Sequence, residues 1–143
     1  MARINSRTKG QTGEREMARW LKLNLKLEHE PQRCLEQVRF GGAGRIQQGF
    51  DLVGCQPFAV EVKRQEKLSL RSWWMQIVNS ATEDYPHPVV AFRQNRGKWR
   101  FLISARNIGL ERGFLCLEER EAKEWMIRVL EHEAMSDDSS QDL

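Results

Sequence analysis

The sequence predicts an α/β fold in which a central mixed β-sheet is flanked by helices. Three observations lead to it. Segments with helical and strand periodicity follow one another in the order helix, three strands, helix, strands, helix. The stretch Phe58-Ala59-Val60-Glu61-Val62-Lys63 alternates strictly, with Val60 and Val62 on one side and Glu61 and Lys63 on the other. The chain of 143 residues has the size of a single domain that buries about two-thirds of its unfolded surface. That domain is expected over 1–134, opening with a basic arm over 1–12 and followed by an acidic disordered tail over 135–143.

Residues 1–12 are polar and basic, and Thr12 is a candidate N-cap for a helix starting near Thr12 or Gly13. Glu14 to Leu27 sends two signals. An acidic first turn and the spacing of Met17, Trp20 and Leu21 favour helix, whereas Leu21 to Leu27 alternates with period two. Helix is preferred, because Leu and Lys form helices well and no β-branched residue is present. Pro31 ends the segment. A first strand follows over Cys34 to Phe40, then the loop Gly41-Gly42-Ala43-Gly44-Arg45, then two strands carrying Asp51 and Glu61. Gln65 to Lys67 turn the chain into a helix from Ser69 to about Ala81, with Trp73, Trp74, Ile77 and Val78 on its apolar side. The two tryptophans are adjacent and point to different sides. One is expected in the core, leaving the other to pack on a partner or stack on a base. Pro86 and Pro88 bracket entry into a strand at Val89 to Arg93, and Asn95-Arg96-Gly97-Lys98 turns it into a hairpin with Trp99 to Ile103. A helical turn at Ser104 to Ile108 and a charged helix from Glu118 to Glu133, buried through Trp125, Met126, Val129 and Leu130, complete the chain.

The formal net charge of +3 hides an asymmetry, since residues 131–143 hold five acidic side chains and no Lys or Arg. Without them the chain has 23 basic and 15 acidic residues. A basic body with an acidic end suits a polyanion binder. Cys34, Cys55 and Cys116 are odd in number and lack C-x-x-C spacing, so a disulfide framework is not expected. They fit a reducing cytoplasm. No apolar run reaches the roughly 20 residues of a membrane span, and the N-terminus lacks the apolar stretch of a signal peptide. His29, His87 and His132 show no ligand spacing and read as surface residues.

The chemistry concentrates in Gly49-Phe50-Asp51-Leu52-Val53-Gly54 and the strand that follows. Two carboxylates and an ammonium from neighbouring strands make a hard-oxygen site of the kind Mg²⁺ accepts, with a lysine placed to orient a water. An isolated E-x-K is more often a solvated ion pair, so the case depends on what surrounds it. K-G-x-x-x-E-R-E at Lys9 to Glu16, R-F-G-G-A-G-R at Arg39 to Arg45, G-F-D-L-V-G and A-V-E-V-K-R occur in this order within the first 64 residues. Together they resemble the PD-(D/E)-x-K nuclease superfamily, and within it the archaeal and phage-encoded Holliday-junction resolvases. Phe50 stands where the superfamily pattern has proline, and Gly41-Gly42 where related sequences often have a serine.

The resemblance implies a restriction-endonuclease-like core and a set of roles. Asp51 and Glu61 bind Mg²⁺, for which Mn²⁺ substitutes, and the carbonyl of Val62 is a further ligand. Lys63 positions the nucleophilic water, and Glu14 completes the site through water. Arg15 holds a phosphate, Arg39 contacts DNA, and Lys9, Arg45 and Arg64 are further DNA-binding candidates. Gln76 matches an accessory glutamine of some members, although an exposed helix residue would look the same. The expected substrate is branched or duplex DNA, and the expected assembly a homodimer with two sites for the two strands of a junction. A nucleotide cofactor is not expected, because the glycine loop lacks the Lys-Ser/Thr of a P-loop. Two alternatives stay open: a nuclease of the same fold acting on flaps, nicks or duplex, and a nucleic-acid-binding module without catalysis.

Overall fold

The computed structural model describes residues 6–34 and 50–141. The glycine loop with Arg39 and Arg45, and all but the first residue of the strand expected at Cys34 to Phe40, lie outside this range. Helix α1 spans Ser6–Leu25, followed by β1 (Gln32–Arg33), β2 (Leu52–Val53) and β3 (Phe58–Arg64). Helix α2 (Leu70–Val78) leads to β4 (His87–Arg93), β5 (Arg100–Ser104), a 3₁₀ turn (Ala105–Ile108), β6 (Phe114–Glu118) and α3 (Glu119–Gln141). The strands form one six-stranded sheet in sequence order. Among the described strands only β3 and β4 pair in parallel, joined by α2 as a crossover helix.

Side-chain alternation sorts the sheet into two faces. Phe58, Val60 and Val62 of β3, Val89 and Ala91 of β4, and Phe101 and Ile103 of β5 pack beneath α1 and α3, against Met17, Leu21, Leu25, Ala122 and Met126. Ala59, Val90, Phe92 and Leu102 face the other way, onto Trp73, Trp74 and Ile77 of α2 and onto Phe50 and Tyr85. Helix α1 resolves the mixed signal at Leu21 to Leu27: Met17, Leu21 and Leu25 are buried at intervals of four while Leu23 is 64% exposed, as a helix requires and a strand forbids.

Several expectations are corrected. Helix α1 begins at Ser6, so most of the expected arm is helical and Thr12 lies inside the helix rather than at its cap. Residues 6–12 contain no apolar residue, and hydrophobic periodicity reports only the packed part of a helix. Trp73 and Trp74 are both buried, at 4% and 5% exposure. Trp73 packs on Phe92 and Trp74 on Phe114, so neither is free for a base or a partner. Ser69 occupies the N-cap position of α2 without a side-chain bond, and Val78 is exposed. His87 is half-buried on β4 between Phe58 and Trp125, not a surface residue. Strand β6 has no counterpart in the sequence reading, and α3 carries the chain to Gln141, beyond the expected end at Glu133.

Gly13 permits a close approach between α1 and β3. A Cβ there would lie 2.2 Å from Arg64 Cγ, and that side chain is held by bonds from Nη1 to the Arg93 carbonyl (3.1 Å) and from Nη2 to Asn95 Oδ1 (3.4 Å). Gly13→Ala is therefore expected to destabilise the fold by about 1–3 kcal/mol in urea unfolding, the scale of overpacking. In an Arg64→Ala background the same change should become neutral or stabilising, because Ala is the better helix former by about 1 kcal/mol.

Candidate active site

β2 and β3 fix the centre of the site. Asp51 immediately precedes β2, and its backbone is held on both sides: its carbonyl accepts from the Cys34 N–H at 2.7 Å and its N–H donates to the Val60 carbonyl at 2.9 Å. Its carboxylate then turns back, and Oδ2 accepts the Val62 N–H at 2.7 Å. Leu52 pairs with Val60, so the register places Asp51 beside the Glu61–Lys63 segment. Because Val60 and Val62 are committed to the core beneath α1, Glu61 and Lys63 must project from the opposite face. There Lys63 Nζ lies 3.2 Å from Glu61 Oε1.

These groups open into a cleft of about 640 Å³, lined also by Lys9, Gly10 and Glu14 of α1 and by Arg64, Gln65 and Glu66. Glu14 is clamped by Arg33, whose Nε donates to Oε2. Lys9 pairs with Glu66 at 3.5 Å. Arg64 lines the cleft, but its guanidinium is turned toward Arg93 and Asn95. Val62 lines the cleft and also belongs to the core beneath α1. Arg15 and Gln76 are exposed and do not line the cleft.

Electrostatically the site is short of positive charge. Burial is the main reason that Asp51 is pushed up from 3.8 to about 7; the neighbouring Glu14 and Glu61 carboxylates push in the same direction, and the Val62 N–H and Lys63 only partly oppose them. Burial also raises Glu61, against the pull of Lys63. Glu61 Oε2 is buried without a hydrogen-bond partner among the described residues, an arrangement that is costly for a carboxylate unless a further cation or donor completes it.

A family model described as "Phage putative PDDEXK endonuclease" matches residues 5–134. The chain belongs to this family. Neither the curated proteins nor the solved structures include a match. The six-stranded mixed sheet flanked by three helices is consistent with the PD-(D/E)xK fold.

PD-(D/E)xK nucleases generally use divalent metals, and the residues present fit one. The buried Asp51 carboxylate and the orphaned Glu61 oxygen are oxygen donors of the kind a hard cation accepts, with water in its remaining positions. Among the described residues no group of three or more His, Cys, Asp and Glu side chains could hold a metal ion. No described helix is long and apolar enough to cross a membrane.

Two residues at or beside this cleft escaped the sequence reading. Arg33 belongs to no motif and meets Glu14 from 19 positions away. Glu66 lies in a turn whose composition gives no hint of its role, yet Oε1 accepts the Asn95 N–H at 2.6 Å and its backbone carbonyl accepts Gln94 Nε2 at 2.7 Å.

Proposed function

We propose that the protein is a divalent-metal-dependent endodeoxyribonuclease that hydrolyses phosphodiester bonds in branched DNA, a Holliday-junction resolvase acting as a homodimer with Mg²⁺ or Mn²⁺ in the host cytoplasm. The observation that carries the reading is the convergence of Glu14, Asp51, Glu61 and Lys63, from three separate elements, in one cleft that also holds Lys9 and Arg64. A nucleic-acid-binding module would have no reason to assemble buried carboxylates where phosphates must approach.

Asp51, Glu61 and the Val62 carbonyl would hold the metal, which when bound supplies Lewis-acid polarisation of the scissile phosphate and a more acidic water. Lys63, on the strand face beside Glu61, orients the attacking water and stabilises negative charge as it develops on the phosphoryl oxygens. The Val62 N–H fixes the Asp51 carboxylate, and Arg33 fixes Glu14, so the acidic groups are positioned before substrate arrives. Lys9 at the rim attracts the backbone phosphates. Water adds to phosphorus, the bond to the 3′ oxygen breaks, and the products carry a 5′-phosphate and a 3′-hydroxyl.

Junction selectivity is supported by the order and spacing of the four sequence motifs, and the homodimer by the two strands that a junction presents for symmetric cutting. With Trp73 and Trp74 buried, exposed apolar side chains such as Met75, Val78, Ile108 and Leu110 are the surface available to a partner subunit. Labelled immobile four-way junction and linear duplex of the same sequence, incubated with Mg²⁺, test the selectivity. Symmetric nicks in the junction alone are expected. Equal cutting of both would make the protein a general nuclease, and tight binding without cutting under every metal tried would make it a binding module.

A further inference from the structure

We infer that the β4–β5 turn, Gln94 to Lys98, is a second contact element for the nucleic-acid backbone, held against the cleft by Glu66. The inference rests on the nuclease reading above and extends it to a surface outside the cleft.

The turn is anchored to the segment that leaves the catalytic strand. Glu66 Oε1 accepts the Asn95 N–H at 2.6 Å, the Glu66 carbonyl accepts Gln94 Nε2 at 2.7 Å, and Arg64 reaches both the Arg93 carbonyl and Asn95 Oδ1. Three bonds to the turn and one to its root at Arg93 therefore tie it to residues one and three positions beyond Lys63. Glu66 lines the cleft and pairs with Lys9 of α1, so one side chain joins the cleft rim, the first helix and the turn.

What the turn presents is positive. The Gly97 N–H closes it on the Gln94 carbonyl at 3.0 Å, and Arg96 takes the left-handed conformation, φ 61°, which a glycine or asparagine would adopt at lower cost. Arg96 and Lys98 are exposed and form no ion pair among the described residues. In contrast Arg93, at the root of the turn, is engaged by Glu16 and Trp99. A solvated turn would need neither a cation in a strained position nor bonds to the end of the active-site strand and the segment that leaves it. A duplex arm leaving the cleft needs both, because each phosphate it places on a fixed cation releases a counterion.

The test is binding of a labelled four-way junction and of linear duplex in EDTA, across a salt series. Arg96→Ala/Lys98→Ala is compared with Arg120→Ala/Lys123→Ala, which removes the same charge from exposed positions on α3. The hairpin variant should lose roughly tenfold in affinity and about two in the slope of log K against log salt on both substrates, while the α3 variant matches wild type. Equal effects of the two variants, or none from the hairpin variant, overturn the inference and leave the nuclease reading standing. A wild-type protein that binds neither substrate overturns both.

Glu66 has a test of opposite sign. Removing a carboxylate from a DNA-facing rim should tighten binding if only charge counts. Glu66→Ala should instead weaken it, because the turn loses its strut, and Glu66→Gln, which keeps an acceptor for the Asn95 N–H, should restore binding to at least the wild-type level. Tighter binding by Glu66→Ala would overturn the positioning role.

Discussion

Glu61→Ala should cut DNA cleavage by roughly a hundred- to a thousandfold, the scale on which loss of one preorganised charge-stabilising group acts, while junction binding stays the same or becomes tighter. The asymmetry follows from the position of the side chain. Glu61 projects from the face of β3 opposite Val60 and Val62, largely buried, with one oxygen on Lys63 and the other without a hydrogen-bond partner among the described residues. Its removal takes away a candidate metal ligand and releases Lys63 from its ion pair. It leaves Val60 and Val62 in the core untouched. A phosphodiester approaching the cleft then meets less negative charge. Cleavage assays and gel-shift titrations on the same preparation check both halves. Loss of binding together with cleavage would mean that Glu61 holds the fold rather than the chemistry.

The second large effect is a coupling between pH, metal and stability centred on Asp51. Its folded-state value of about 7 lies above the ordinary 3.8, with burial as the main cause. Between those values the folded protein binds a proton that the unfolded chain has released. Without metal, stability should fall as pH rises from about 4 through 7, by as much as about 4 kcal/mol from this group, and the deficit should be complete above pH 7. Asp51→Asn removes the charge, so the variant should melt higher than wild type at pH 8 in EDTA and lose most of the pH dependence. Mg²⁺ or Mn²⁺ should raise the melting temperature of wild type more at pH 8 than at pH 5, where a proton competes for the carboxylate. The same ions should do little for Asp51→Asn. A wild-type protein that grows more stable from pH 5 to 8 without metal would contradict the assignment of Asp51 as the strained member of the site.

Much of this was legible from local pattern because the site is built on a strand. The alternation in Phe58 to Lys63 separates core from cleft residue by residue, and Asp51 and Glu61 stand on segments too close in sequence to be anything but neighbours. Helix α1 beyond Gly13 was legible for a similar reason: Met17 and Leu21 recur at helical spacing. What escaped depends on contacts between distant positions. Arg33 and Glu66 become part of the site only when α1, β1 and the β4–β5 turn are brought against β3, and no periodicity encodes that. β6 was missed because Phe114 to Leu117 is a short apolar run that passes directly into α3 without a turn signal. Adjacency on a helix points Trp73 and Trp74 to different sides, but the sheet face beneath α2, together with Phe114 of the edge strand, is broad enough to cover both.

The most direct test of the central claim, that Asp51 and Glu61 make this cleft a metal-dependent nuclease site, is a single-turnover cleavage assay on a labelled four-way junction. Wild type and Asp51→Asn are compared in Mg²⁺ and in EDTA, with binding measured in parallel. Cleavage by wild type in Mg²⁺ alone, with Asp51→Asn bound to DNA but inactive, is the predicted result. Cleavage that survives EDTA, or that Asp51→Asn retains at the wild-type rate, would contradict it.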